Sequence, residues 1–573
     1  MNPSRFQLPQ YVSEDRRRGR AHTLELERRR FELKRDDLGG EREAGDFRRL
    51  PPTCAKIPGE MDFPASMISA LGVDRVKSML VYGSARISNV IHPLTSERGY
   101  RSLFRLMGES MATIAGWRED VAFGRQRMTG VNPMILRQLR DDAKTPLWEA
   151  GAEVMDKKQP SGRPKMTMGD AFRLGRLFVA DYSVLWDPRI QKHVASDAHL
   201  GAPTCLFWSD DYGDLLPLAI QLKPAWMREK NPVFTPLHPY ADWMAARAHV
   251  GSADTHVHEA PYHLLETHLV SEAVALSLYR EVHPDHPLRQ LLDPHYEYNL
   301  AINKLALGDL LAKGGTIDTT VAAGVAGALN AARMHYAKWS FKDRWLKKDL
   351  HDRGVHDPAT LPQYYYRDDA VLVHDAVTRY TAAILSLWYR TDEDVLEDEE
   401  LQGFVRACGS EDGGDIPGFP TAVTTRQDLF ELVAELIFRA GPQHAAVNNG
   451  QFDAYGFIPG TPGRLTLPLA DAPPGDGGGI TEAQLWEAMP SLHVSLSQMG
   501  MVWVLSRPTI RTLLHSGQSP AFHPSLCYEA DEIVSAFRRR LGAISEGIQR
   551  RNAPLQVGYR YLDPLNISRS TDI

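Results

Sequence analysis

The sequence predicts a mainly α-helical protein built around one long, π-bulged central helix, with minor β-hairpins. Three observations lead there. The stretch ADTHVHEAPYHLLETHLVSEAVALSLYRE, from Ala253 to Glu281, is apolar at nearly every turn and carries His258, His263 and His268 five residues apart. Apolar residues recur every three or four positions in Leu429, Val433, Leu436 and Ile437, and again in Ile533, Phe537, Leu541, Ile544 and Ile548, the period of a helix with one buried face. PTCLFWSDDYGDLLPLAIQL, from Pro203 to Leu222, instead sets two short apolar runs about an Asp-Tyr-Gly-Asp turn, a hairpin signal.

Composition bounds the rest. At 573 residues, 43% hydrophobic and 24% charged, the chain is an ordinary globular sequence with ample material for a large core. A net charge of −7, from 65 basic and 72 acidic residues, gives no footing for nucleic-acid binding. Cys54, Cys205, Cys408 and Cys527 are scattered without Cys-x-x-Cys spacing and read as reduced thiols. No apolar h-region follows the first arginines and no run of 18 apolar residues exists, so the expected location is cytoplasmic.

Taken in order, residues 1–60 form a charged arm of alternating sign, a solvated helix or partly ordered segment. Its arginines allow a transient membrane-surface contact, which the interleaved acids weaken. Residues 61–573 form the folded body, with a helical pattern from Met61 to about Asp197, then the hairpin, then helices again from Trp243. On an ideal α-helix, histidines five residues apart stand about 140° apart, too far to share an ion. One turn of i to i+5 bonding would bring His263 and His268 onto one face, hence the expected π-bulge. A later helix starts at Thr425, whose hydroxyl can cap it, and ends at Gly441-Pro442, where the proline is expected to remove a hydrogen bond and kink the helix. QHAAVNNGQ follows; its His444 and Asn448, four apart, stand about 40° from each other and can face one point. ADAPPGDGGG, from Ala470, reads as a surface loop, and YRYLDPLNISRSTDI as an extended run to the end.

These residues, in this order, resemble the lipoxygenases. The match comprises Trp117, Asp120, Phe123, Gly124, Gln126, Gly130, Asn132 and Pro133; then Trp243, Ala246 and Arg247, with arginine for the usual lysine; then the histidine block, the YYYRDDA stretch from Tyr364 to Ala370, HAAVNNGQ, and a terminal isoleucine. It covers roughly residues 60 to 573 and implies a single lipoxygenase catalytic domain over 61–573, without the β-barrel domain that often precedes it.

The resemblance implies a non-haem iron held by His263, His268, His444, Asn448 and the carboxylate of Ile573, with iron preferred to manganese. Three imidazoles, a carboxamide oxygen and a carboxylate form an N/O set without thiolate that leaves a position open on an octahedral ion, which suits non-haem iron rather than closed tetrahedral zinc. His258, Glu259 and Gln451 are implied to orient those ligands, and Thr255, Leu264, Leu269, Ala306 and Leu310 to line the substrate and oxygen channel. The implied reaction removes a hydrogen atom from the bis-allylic methylene of a polyunsaturated fatty acid and adds O2, giving a conjugated hydroperoxide. Ala306 stands where alanine accompanies S products. Thr255 replaces a bulky aromatic at the pocket base.

Three rivals remain. A hydroperoxide isomerase needs the same iron and differs mainly in its access to oxygen. A metal-free lipid-binding scaffold would have no use for five ligand positions. A zinc hydrolase built on His263 and His268 with Glu266 or Glu272 lacks His-Glu-x-x-His spacing and gives the terminal isoleucine no role.

Overall fold

An uninterrupted helical run from Tyr240 to Glu281 passes through the protein, and every residue from Ala241 to Tyr279 except Leu264 is buried. A helix enclosed on all sides belongs to the core, and its polar side chains must find partners there. The computed structural model describes residues 6–35, 47–65, 67, 93–107, 116–141, 145–159, 165–472, 479–508, 511–514 and 527–571.

In chain order, α1 (Glu14–Arg30) leads into a two-stranded hairpin of β1 (Leu33–Lys34) and β2 (Thr53–Cys54). Although densely charged, α1 is docked: Arg20 makes a buried two-pronged pair with Glu400 at 2.6 and 2.8 Å, and Leu24 and Phe31 are buried. After α2 (Asp120–Thr129) comes a five-stranded antiparallel sheet. Its strands are β3 (Leu136–Gln138), β4 (Leu177–Asp181), β5 (Thr204–Ser209), β6 (Leu215–Gln221) and β7 (Val233–Phe234), in that order across the sheet, with α3 (Pro146–Lys158) packed on one face.

The hairpin expected at 203–222 is β5 and β6. Asp210 builds its turn by accepting the amides of Tyr212 and Asp214 at 2.9 Å each, and Gly213 supplies the left-handed conformation at φ +83°. Pro217 sits opposite Phe207 where the register shifts, a site at which a missing donor does least harm. The expectation of a helical pattern, broken by Gly and Pro, from Met61 to about Asp197 is corrected here, because β3 and β4 lie in that span. LFVAD is a short buried run, and periodicity does not separate such a run from a turn of buried helix.

The central run consists of α4 (Tyr240–Val257), a π-helical segment (His258–Leu269) and α5 (Val270–Glu281). Around it lie α6 (Asn299–Asp309), α7 (Gly324–Lys338), which packs on the π-segment, and α8 (Tyr365–Leu385). One side of α8 meets α9 (Arg426–Phe438) and another meets the late helix, described from Cys527 to Asn552. Thr425 caps α9 as expected, accepting the Asp428 amide at 3.1 Å. Beyond the late helix, residues 553–571 form turns and one isolated bridge, Thr512 to Ser568, in place of the expected extended run, with Tyr559, Leu562 and Ile567 buried.

Candidate metal centre

The central helix changes hydrogen-bonding register where its histidines begin. Between His258 and Leu269 the bonding is i to i+5, and His263 and His268 consequently share one face, their Nε2 atoms 3.2 Å apart. A second π-segment, Arg439–Gln443, follows α9 and delivers α10 (His444–Asn448). Ligand-type nitrogens of His263, His268 and His444 all lie within 4.8 Å of one another, and all three residues are buried.

Both π-segments contain a proline two residues ahead of a histidine, Pro261 before His263 and Pro442 before His444. The sequence expectation is that Pro442 removes a hydrogen bond from an α-helix; it stands instead inside an i to i+5 segment. An i to i+5 turn already leaves an amide without its α-helical acceptor, so a residue lacking N–H is accommodated there.

The hydrogen bonds decide which ring atom faces the centre. Asn303, on α6, donates its amide nitrogen to the His268 carbonyl at 3.1 Å and to Glu272 Oε2 at 2.7 Å, leaving Oδ1 to accept from His268 Nδ1 at 2.8 Å. His263 Nδ1 faces Glu259 Oε2 at 3.4 Å. With both Nδ1 atoms donating, both Nε2 atoms present lone pairs, and two buried lone pairs at 3.2 Å repel unless a cation lies between them. The donor set thus fits a metal ion. Burial, with His263 alongside, pushes His268 down to about 3, so its ring is neutral and able to ligate at pH 7. Burial would raise Glu259, but His258 and His263 hold it down at about 2, an anion that fixes the His263 ring.

His258 does not join the three. Its Nε2 donates to the Val447 carbonyl at 2.8 Å, tying the π-segment to α10 one residue before Asn448. Asn448 donates Nδ2 to the Leu505 carbonyl at 2.8 Å, and its Oδ1 accepts from Gln451 Nε2 at 2.8 Å, which leaves the carbonyl oxygen as its ligand-type atom. Ile573 lies outside the described residues. The segment before it is pinned, with Thr571 Oγ1 donating to the Ala440 carbonyl in the second π-segment and Ser570 Oγ to the Glu297 carbonyl, each at 3.0 Å.

Among the channel candidates, Thr255 is buried in α4 with Oγ1 on the Gly251 carbonyl at 3.0 Å. Leu269 is buried and Leu264 half-buried beside the histidines, while Ala306 and Leu310 are half-buried, Ala306 three residues beyond Asn303. Asn303 itself escaped the sequence reading. Its signal was a carboxamide in the apolar helical run AINKLAL, where an uncharged polar side chain must have a buried partner.

Glu266, between the two helix histidines, faces elsewhere: it accepts from Arg344 at 2.6 Å, His335 at 2.7 Å and Gln443 at 3.4 Å. With Arg439 donating to the Glu266 carbonyl at 3.2 Å, this residue clamps one π-segment to the other. Burial would raise its carboxyl, but Arg344 and His335 hold it far below the usual range. Glu266 and Glu272, either of which the zinc-hydrolase reading would use, are thus both committed to other partners.

A family model described as Lipoxygenase matches residues 94–562. The chain belongs to the lipoxygenase family. It is 32% identical to mouse polyunsaturated fatty acid lipoxygenase ALOX8 over 83% of this chain and 69% of that one, and 33% identical to rat hydroperoxide isomerase ALOXE3 over 80% and 62%. An allene oxide synthase-lipoxygenase protein of Plexaura homomalla is 28% identical over 99% of this chain and 54% of its own length. The chain therefore spans between about half and about two-thirds of the length of these curated relatives. Among solved structures, an anaerobic lipoxygenase deletion variant in complex with arachidonate superimposes with a TM-score of 0.87 at 26% identity, over 99% of this chain and 83% of the other. Coral 8R-lipoxygenase gives 0.82 at 26% identity with the same coverage.

Two of the lipoxygenase motifs prove to be halves of one contact. Trp243 donates to Asp120 at 2.8 Å, and Asn132 donates to the buried Asp254 at 2.8 Å. Arg247, the departure from lysine, donates to the carbonyls of Trp117 at 2.6 Å and Arg118 at 2.7 Å just ahead of α2, which a forked guanidinium does better than a single ammonium.

Proposed function

We propose that the chain is a non-haem iron dioxygenase that inserts O2 into polyunsaturated fatty acids bearing a cis,cis-1,4-pentadiene and releases (S)-hydroperoxides. The observation that carries this reading is the convergence of His263, His268 and His444 in a buried, thiolate-free setting, with two ring lone pairs aimed at one point. In the proposal, these three, Asn448 and the carboxylate of Ile573 hold the iron, in preference to manganese. Bound there, the iron supplies one-electron chemistry able to take a hydrogen atom from a bis-allylic methylene and later return an electron.

The residues around it have separable tasks. Glu259 and Asn303 hold imidazole Nδ1 protons so that each Nε2 stays a ligand. Gln451 and Leu505 orient the Asn448 carboxamide. Leu264 and Leu269 give the neighbourhood an apolar character that disfavours water, which would divert a radical intermediate. Ala306 supports the S assignment, and chiral chromatography showing mainly R product would remove it. Residues 61–573 are proposed as one catalytic domain and 1–60 as its charged arm. A cytoplasmic location is proposed in keeping with the described residues, in which no helix is long and apolar enough to cross a membrane.

A hydroperoxide isomerase is the second reading, favoured by the ALOXE3 similarity. The deciding experiment follows conjugated-diene absorbance and oxygen uptake on a polyunsaturated fatty acid, with metal analysis, for the intact chain and for one lacking Ile573. Oxygen uptake with diene formation, lost together with iron on removal of Ile573, supports the dioxygenase and the terminal ligand. Hydroperoxide consumption without oxygen uptake selects the isomerase, and a metal-free, inactive intact chain defeats both.

A further inference from the structure

The N-terminal segment reaches the candidate metal centre through three hydrogen bonds in series. The backbone amide of Cys54, in β2, donates to Glu272 Oε1 at 2.8 Å; Glu272 Oε2 accepts from Asn303 Nδ2 at 2.7 Å; Asn303 Oδ1 accepts from His268 Nδ1 at 2.8 Å. Glu272 and Asn303 are both at least 98% buried, so neither can exchange these partners for bulk water.

The position of the first donor is set with care. Arg20 on Glu400 fastens α1, Arg280 donates to the carbonyls of Arg28 and Phe31 at 2.8 Å each, and Phe31 lies 4.8 Å from the Tyr279 ring. These contacts hold the β1–β2 hairpin along α5, where the Cys54 amide is directed at Glu272. A buried carboxylate needs donors at both oxygens, and Cys54 and Asn303 each engage one.

The chain of bonds matters because the Asn303 carboxamide has two faces. While Glu272, at 2.7 Å, and the His268 carbonyl, at 3.1 Å, claim its NH2 group, its oxygen is what remains for the His268 ring, which must carry its proton on Nδ1 and its lone pair on Nε2. With the carboxamide turned over, NH2 would meet Nδ1, the proton would move to Nε2, and an N–H would point where a metal ligand is needed. We infer that Glu272 and the backbone amide of Cys54 are positioning groups that set the tautomer of His268, making the N-terminal segment a working part of the metal centre. The inference rests on the proposed iron-binding role of His268.

The test measures Fe(II) affinity by competition with a chelator in the full-length chain, with circular dichroism to confirm folding. Cys54→Pro removes the amide hydrogen, whereas Cys54→Ala keeps it. Glu272→Gln presents a donor where an acceptor is required, and Glu272→Gln with Asn303→Asp restores an acceptor for His268 whichever way the side chain lies. We expect Cys54→Ala to bind within about twofold of the parent, Cys54→Pro and Glu272→Gln to bind roughly 10–100-fold more weakly, and the double variant to recover most of the loss. Should Cys54→Pro fail to fold, Glu272→Gln and its rescue decide. Parent-like affinity in a folded Cys54→Pro or in Glu272→Gln, or a double variant no tighter than Glu272→Gln, overturns the inference. If His268→Ala binds iron as tightly as the parent, the iron-site reading fails and this inference with it; if His268→Ala abolishes binding while Glu272→Gln leaves it intact, the inference alone fails.

Discussion

Glu266 and Arg344 form a largely buried salt bridge at 2.6 Å, and Glu266, which also accepts from Gln443, ties the two π-segments together with Arg439, which donates to the carbonyls of Glu266 and Arg344. Removing the guanidinium leaves the buried Glu266 anion with only His335 and Gln443 as hydrogen-bond donors and takes one partner from Asp349. Arg344→Met should destabilise the protein by about 3–5 kcal/mol, whereas Arg344→Met with Glu266→Met should regain much of that. Denaturant unfolding of the two variants against the parent measures both values, and equal loss in single and double variants would contradict the clamp.

His256 is held neutral inside α4, its Nδ1 donating to the Ser252 carbonyl at 2.7 Å and its Nε2 accepting the Ala323 amide at 3.2 Å. Burial pushes its pKa down to about 4. The unfolded chain, near 6.5, binds the extra proton first, so this histidine costs nothing above pH 6.5, weakens the fold progressively as pH falls from 6.5 to 4, and exerts its full effect below that. His256→Gln should flatten the stability–pH curve across that window by about one proton, as read from denaturation midpoints at several pH values.

At Gly251 the central helix passes so close to residues 460 and 461 that a Cβ would lie 2.5 Å from the Gly460 oxygen and 2.9 Å from the Thr461 Cα. Both are backbone atoms with little room to yield. Gly251→Ala should gain helix propensity of about 1 kcal/mol and lose about 1–3 kcal/mol to overpacking, for a lower melting temperature overall. A higher melting temperature would show that this approach can relax.

Metal removal should leave the backbone largely as it is. Glu266, Asn303 and the docked helices hold the histidines without an ion, so far-UV circular dichroism should barely change on chelation. The melting temperature should still fall, because the proposed iron, at about 100 times its Kd, would contribute roughly 2.7 kcal/mol by mass action. Collapse of the helical signal on chelation would mean that the ion builds the site.

The central helix was readable because three histidines at five-residue intervals in an apolar stretch conflict with α-helical geometry unless the register changes. His444 and Asn448 were readable for the opposite reason, since four residues apart they need no adjustment. What escaped was set by tertiary context. β3 and β4 are too short to carry a period, and the chain beyond the late helix turns inward because Tyr559 and Ile567 find buried sites that no local pattern announces. Pro442 was read against an α-helix, whereas an i to i+5 segment surrounds it. Asn303 and Glu272 act across 35 and 31 residues from their partners, a distance over which spacing carries no information.

The two prolines that precede His263 and His444 behave like pawls in a ratchet. A π-turn is a helix with one surplus residue, and in a plain sequence that surplus could slide along the coil and rotate every side chain it passed. A ring with no N–H penalises that migration, since a displaced surplus would put the proline where an ordinary helical bond is required. The directions of two imidazoles are thereby written into covalent structure before any ion arrives, and the register of the helices, more than the metal, keeps the aim.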